Sequence, residues 1–300
     1  MRLRKHLTQV LILIILALPS LGLAHSGQAM KDTLRFGYSL GPFDDMNIKD
    51  ARIALDMLTQ EMAKQVTEEY VPVTKIYKSS AKLISDIAKK KIDMVVISAI
   101  DYVQNEQKLA IDPSIVGVTH NEIGEKLDLL VRRDSNIHSL KQLRGRSIAI
   151  VQSNQTNRLV YLWAKSIFNS EGIYNPRELN KTLKPLEKPS AAILKVFFGK
   201  MVACIVTDAA FRLSAELNPQ LGQELIILKQ SPLFQTNFFA FQRSMKKNIR
   251  QTIFTKALHF DENTKGKQIL TLFKVNKLVP FYPKYLDSIR ELLNKNKNIR

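Results

Sequence analysis

From Thr33 onward, short apolar or alternating runs take turns with stretches in which apolar residues recur at three- and four-residue steps. Thr33 to Leu40 (TLRFGYSL), Tyr70 to Tyr77 (YVPVTKIY) and Ile92 to Ser98 (IDMVVIS) carry the β-branched and aromatic residues of strands. Between them, Ala51, Leu55, Leu58, Met62 and Val66 fall on one face of a helix that starts near Asn47. Ser79 or Ser80 offers the hydroxyl cap of a second helix bearing Leu83, Ile84 and Ile87, which ends in the solvated run Lys89, Lys90, Lys91. Strand, helix, strand, helix, strand is the order of a parallel sheet.

The same pattern restarts at Leu127 to Arg132 (LDLLVR). Ser139 opens a short helix stopped by Gly145, Ser147 to Gln152 reads as a strand, and Val160, Trp163, Ala164 and Ile167 mark a long helix. A helix from Ser190 to Phe198 and a strand from Met201 to Thr207 follow, then two strand-like runs, Leu225 to Leu228 and Phe238 to Phe241. Beyond Lys246 the tail is basic and helical, with Tyr285, Ile289 and Leu292 on one face. No Pro/Gly/Ser-rich linker separates the two units, so they are expected to pack together and to be joined by crossing strands, leaving a cleft. The predicted fold is α/β and bilobal. Residues 30–126 and 242–300 are assigned to the first lobe and 127–241 to the second.

The first 29 residues have a different character. Arg2, Arg4 and Lys5 precede the apolar run Val10 to Leu18, Pro19 and a small-residue stretch, which is the pattern of a secretory signal peptide. Cleavage fits after Ala24 or after Ala29, so the mature chain is expected to begin at His25 or Met30. The run is shorter than the roughly 20 apolar residues of a spanning helix. No cysteine follows the leader to carry a lipid. The expected compartment is the periplasm.

Composition narrows the classes. With 45% hydrophobic and 24% charged residues, the chain lies in the ordinary globular range. Its single cysteine excludes an internal disulfide and any multi-Cys metal centre. A formal charge of +18 favours anionic partners, and export leaves little nucleic acid to meet, so small anions or cell-surface polymers take its place.

In parallel α/β sheets, ligands gather beyond the carboxyl ends of strands, where helix N-termini present free N–H groups. Five such loops can be named: Ser39 to Phe43, Tyr77 to Ser80, Ser98 to Ile100, Gln152 to Arg158 and Thr207 to Ala209. Their hydroxyls and amides give directed donors for an oxyanion, although each Ser or Thr taken singly is better explained by helix capping, and only convergence of several loops on one cleft reverses that. Cys204 lies in the apolar run MVACIVT and reads as a buried small hydrophobe. His120, His138 and His259 have no metal-ligand spacing. Neither a nucleophile elbow nor a nucleotide fingerprint occurs, so no catalytic residue, metal or cofactor is assigned.

Four segments in order then suggest a family. VTKIYKSSAKLISDIAKKKIDMVVISAIDYV, DLLVRRDSNIHSLKQLRGRSIAIV, SAAILKVFFGKMVACIVTDAAF and KQSPLF resemble the phosphate/phosphonate-type periplasmic solute-binding proteins. The resemblance implies a type II periplasmic-binding-protein fold, a ligand in the cleft and an ABC permease as partner. It matches Tyr77 to the family's ligand-contacting tyrosine. It places Asn154, Gln155, Thr156, Asn157 and Arg158 where the family reads roughly N-S-T-S-G. Pro189, Ile97, Val202 and Asn237 stand where the family has a histidine, an aromatic and two aspartates. Loss of the acid at Asn237 disfavours a zwitterionic ligand, while Arg158 supplies a charged donor for an anion.

The ligand set expected from these readings is Tyr77, Ser79, Ser80, Ser98, Asn154, Thr156, Asn157, Arg158 and Asn237, around a small oxyanion or organophosphorus compound. The leading reading is a monomeric periplasmic solute-binding protein serving an ABC transporter. The alternative is a ligand-sensing subunit of a membrane signalling protein, such as a histidine kinase or a cyclic-dinucleotide enzyme.

Overall fold

A computed structural model describes residues 32–39, 48–64, 70–119, 121–151, 156–173 and 176–297. The leader lies outside them, as do the 40–43 part of the first strand-end loop, residues 152–155 and His120.

The chain forms two sheets built to one plan. In the first, β1 (Asp32–Ser39) pairs in parallel with β2 (Tyr70–Tyr77) on one side and β3 (Met94–Ser98) on the other. In the second, β6 (Ile148–Val151) pairs in parallel with β7 (Leu183–Leu186) and β8 (Ala203–Thr207). Each parallel trio is then extended by antiparallel strands. β10 (Asn237–Gln242), β4 (Ile111–Val118) and β11 (Lys277–Pro280) complete the six-stranded order β11-β4-β10-β3-β1-β2. β5 (Leu127–Arg132) and β9 (Leu225–Gln230) complete the five-stranded order β7-β6-β8-β5-β9. The parallel sheet expected from the alternation is therefore a mixed one. β10 and β5, which arrive from the other sheet and not by a helix crossover within their own, run against their trios, whereas β4 and β9 pair antiparallel to them and so run with the trios.

Helices cover the sheets as their apolar faces require. α1 (Ile48–Lys64) buries Ala51, Leu55, Leu58 and Met62 of the expected stripe with Leu34, Phe36 and Phe241 in one cluster, and Val66 lies outside the described residues. α2 (Ser80–Ala88) buries Leu83 and Ile87, and Ser79 caps it by accepting from the Lys82 amide at 3.4 Å. α3 (Ala99–Asn105), α4 (Thr156–Ser170) and α6 (Pro189–Phe197) follow β3, β6 and β7. Around Ser139, the short helix is a 3-10 turn over Leu140–Leu143 closed by a capping box with Gln142.

The chain passes between the sheets twice, after β4 and after β9, and the two passages meet. Glu125 N donates to Phe234 O at 2.9 Å and Phe234 N to Glu125 O at 2.8 Å. Gly124 beside them has φ +111°, and a Cβ there would lie 2.3 Å from the Phe234 carbonyl oxygen, so only glycine fits. β10, which the sequence division puts at the end of the second lobe, is hydrogen-bonded within the first sheet; the return passage is thus 231–236, ahead of the apolar run. The last helix, α11 (Asp287–Lys297), buries Ile289, Leu292 and Leu293 against residues of both sheets' helices. It is pinned by Ser288 Oγ to Leu233 O at 2.8 Å and Asn296 Nδ2 to Leu162 O at 3.0 Å.

Candidate functional site

The carboxyl ends of β2 and β3 in the first sheet and the start of α4 after β6 in the second lie at one place. The proof is a bond network. Asp101, in the first turn of α3, accepts from Ser80 Oγ of α2 at 2.6 Å through Oδ2 and from Arg158 Nη1 of α4 at 2.6 Å through Oδ1. Arg158 Nη2 also donates to Gln104 Oε1. Three helices from two sheets are thus joined through side chains that all sit at strand ends. The Asp101 carboxylate is only 5% exposed, while the Arg158 side chain is 42% exposed.

Ser98, the last residue of β3, is buried and caps α3, its Oγ accepting from the Asp101 amide at 3.0 Å. It therefore fixes the backbone that carries Asp101. Asn237 pairs with Ser98 across the β10–β3 ladder, and its Nδ2 donates to Thr236 Oγ1 at 3.2 Å. Ser79 is the α2 cap, one residue before Ser80. Thr156 and Asn157 stand in the first turn of α4, two positions and one before Arg158, and Asn154 lies outside the described residues. In the fifth loop Thr207 caps the helix after β8, accepting from Ala210 N at 3.3 Å.

Tyr77 is in a different chemical setting. Its ring is buried and its hydroxyl donates to Asp86 Oδ2 at 2.9 Å. Lys75 Nζ bonds the same oxygen at 2.8 Å and lies 4.9 Å from the centre of the Tyr77 ring, and Lys82 approaches Oδ1 at 3.2 Å. The Lys75 and Tyr77 hydrogen bonds hold the Asp86 carboxyl far below the usual carboxylate range. Burial, followed by the Asp86 contact, pushes the tyrosine up to about 12. The hydroxyl that the resemblance assigns to a ligand is, in this state, committed to Asp86.

Asp101, Gln104 and Asp86 were not picked out from the sequence. The signal for Asp101 was present: Ser98, two residues, then Asp101, directly after an apolar strand, is the spacing of a capping motif at a strand end. Asp93 of the same motif region proves to be architectural, since Arg35 grips it with Nε at 2.8 Å and Nη2 at 2.6 Å. Among the described residues, no group of three or more His, Cys, Asp or Glu is arranged to hold a metal. Nor is any helix among them long and apolar enough to cross a membrane.

The sequence model of the family described as ABC transporter, phosphonate, periplasmic substrate-binding protein matches residues 48–285, well over half of the chain. The chain belongs to this family. Its fold agrees with that of solved members and relatives. The binding component of an ABC phosphonate transporter from Pseudomonas aeruginosa is 14% identical with a TM-score of 0.60, over 89% of this chain and 87% of that one. PhnD1 from Prochlorococcus marinus, solved with methylphosphonate, is 17% identical with a TM-score of 0.60, over 90% and 100%. A Xanthomonas citri protein solved with ATP is 16% identical with a TM-score of 0.64, over 90% and 98%. No curated protein sequence matches the chain. The two sheets are those of the type II periplasmic-binding-protein fold. Membership makes the protein a periplasmic solute-binding component of an ABC transporter, and favours that reading over a sensory subunit. The family is one of binding proteins and not of enzymes.

Proposed function

We propose that the protein captures a small organophosphorus oxyanion between the strand ends of its two sheets and presents it, lobes closed, to a membrane permease. The observation that carries this reading is the meeting of Ser80 and Arg158 at one point from opposite sheets. A hydroxyl and a guanidinium are the donors an oxyanion needs, and Arg binds such groups with a planar fork. Around them we assign Ser79, Ser98, Asn154, Thr156 and Asn157 to the ligand loops, with Tyr77 and Asn237 as the flanking wall. Binding, not turnover, is the mechanism: a ligand touching both sheets favours the closed arrangement by its differential contacts, with the passages at 121–126 and 231–236 as the hinge.

In this reading the first lobe is built from residues 30–126 plus the chain from the return passage onward, the second from the residues between. The leader is removed on export, and the mature protein acts as a monomer. Methylphosphonate on the Prochlorococcus relative supports the ligand class. Thermal melting of the mature protein tests it. A bound ligand stabilises the fold by about 2.7 kcal/mol at a hundredfold excess over Kd. A rise in Tm is expected with at least one of phosphate, phosphite and methylphosphonate, and Arg158→Gln should abolish that rise; because the change also takes the charged partner from the buried Asp101, the variant's unliganded Tm should fall too, so the shift is read against each protein's own unliganded Tm. No shift with any of the three would contradict the reading.

A further inference from the structure

Beyond the strand-end site, the later turns of α4 help to enclose a cavity of about 420 Å³ that the oxyanion reading does not use. Its α4 wall runs from Trp163 to Ser170, roughly 8 to 18 Å further along the helix axis than Arg158. The end of β9, the return passage and α11 supply the other walls. The volume falls within the roughly 300 to 1,000 Å³ of small-molecule sites. Trp163, Ile167, Phe234 and Leu292, all buried, give it an apolar floor.

The polar part of the wall is rich in acceptors. Three serine hydroxyls have already given their hydrogens to backbone carbonyls, Ser170 to Ile167 at 2.9 Å, Ser231 to Pro232 at 2.7 Å and Ser288 to Leu233 at 2.8 Å. Each oxygen keeps a lone pair, so toward a ligand these groups accept and do not donate. Glu171 and Glu291 add carboxylates, acceptors of the same sense. Of the two lysines on the wall, Lys295 is taken by Glu291 at 2.6 Å, while among the described residues Lys229 and Glu171 make no ion pair. The wall therefore suits an ammonium on Glu171 and the hydroxyls, and offers Lys229 to a carboxylate. A plain amine would approach a chain of formal charge +18 against its field, and a carboxylate on the same molecule removes that repulsion. We propose that this cavity is a second ligand site, separate from the cleft, for a zwitterion with an apolar body, of the class of apolar amino acids and dipeptides. Such a site goes beyond the oxyanion reading and does not depend on it.

Trp163 is the sole tryptophan of the chain, so the cavity can be followed without a label. L-Phenylalanine and leucyl-phenylalanine serve as probes, since neither emits in the tryptophan window. Titration of the mature protein should change the Trp163 emission with a Kd of about 1 mM or tighter for at least one of them. Phenylacetate, which lacks the ammonium, should bind at least about tenfold more weakly, the worth of a hydrogen bond to a charged group. Glu171→Gln and Lys229→Gln, both at exposed positions, should each weaken binding about two- to fivefold, as expected of exposed ion pairs. Ser166→Leu fills the cavity from α4 and should abolish the response, with Ser170→Leu as the second variant should the first melt too low.

Failure of both probes to bind at that affinity would overturn the inference, as would phenylacetate binding as tightly as phenylalanine. A response lost in Arg158→Gln and untouched in the four wall variants would put the probe in the cleft and overturn it as well. The oxyanion reading is decided separately, by the melting shifts with phosphate, phosphite and methylphosphonate.

Discussion

At Asp86 a carboxylate with 1% of its side chain exposed is held by Lys75, Tyr77 and Lys82. Its acidity follows from those bonds, and so does a dependence on pH. A carboxylate held below its ordinary value stabilises the fold above the unfolded value of about 3.9, and this contribution fades as the pH falls further toward the folded value. Asp86→Asn is therefore expected to lower the Tm by several degrees at neutral pH. The gap to wild type should shrink as the pH is taken below about 4; a gap independent of pH would show that packing, and not charge, holds this site. Cys204 illustrates the opposite sign of the same physics. Burial in β8 pushes its thiol far up, so it should resist alkylation in the folded protein and react once denatured, as followed by intact mass. Reaction of the native protein at the rate of a free thiol would refute its buried placement.

The residues assigned to the candidate site were partly legible in the sequence for a plain reason. Ser79, Ser80, Ser98 and Arg158 follow apolar strands, and the position of a residue after a strand can be read from a pattern of period two. What a side chain grips across the cleft cannot. Arg158 was recognised as a donor, but its partner lies 57 residues away on another sheet, and no local spacing encodes that distance.

Among the elements, the long regular ones were legible and the short edges were not. Tyr70–Tyr77 and Leu127–Arg132 form over the expected residues, and the remaining boundaries differ by a few positions. Three strands were missed: β4, β7 and β11. All three contain proline, which has no N–H for the ladder. β7 and β11 are edge strands of four residues each, and Pro113 of β4 sits where its register with β10 shifts. These are the places where proline is tolerated, and the usual strand signals are weakest there.

The passage at Gly124 is the element-scale weak point. Gly124→Ala combines a positive φ with a Cβ driven onto the Phe234 carbonyl, at a cost of roughly 1 to 3 kcal/mol or more. Chemical denaturation should show this loss, and a variant as stable as wild type would mean that the two passages are not held together there. For α11, Ile289 is fully buried, and truncation to Ala should cost about 2 to 5 kcal/mol. A loss under 1 kcal/mol in the same denaturation assay, roughly that of a surface change, would refute the view that this helix ties the two sheets' helices together.

For the whole molecule, the bilobal α/β class was legible because the pattern of the first three strands and two helices is repeated in the second half. The mixed strand directions were not, since direction is set by the path of the chain between strands and not by the strands themselves. The central claim is that the two sheets share one oxyanion site at Ser80, Asp101 and Arg158. A crystal structure of the mature protein grown with methylphosphonate tests it most directly. The phosphonate is expected between the two sheets, accepting from Arg158 and Ser80. A bound phosphonate elsewhere, with the Arg158–Asp101 pair unbroken, would contradict it.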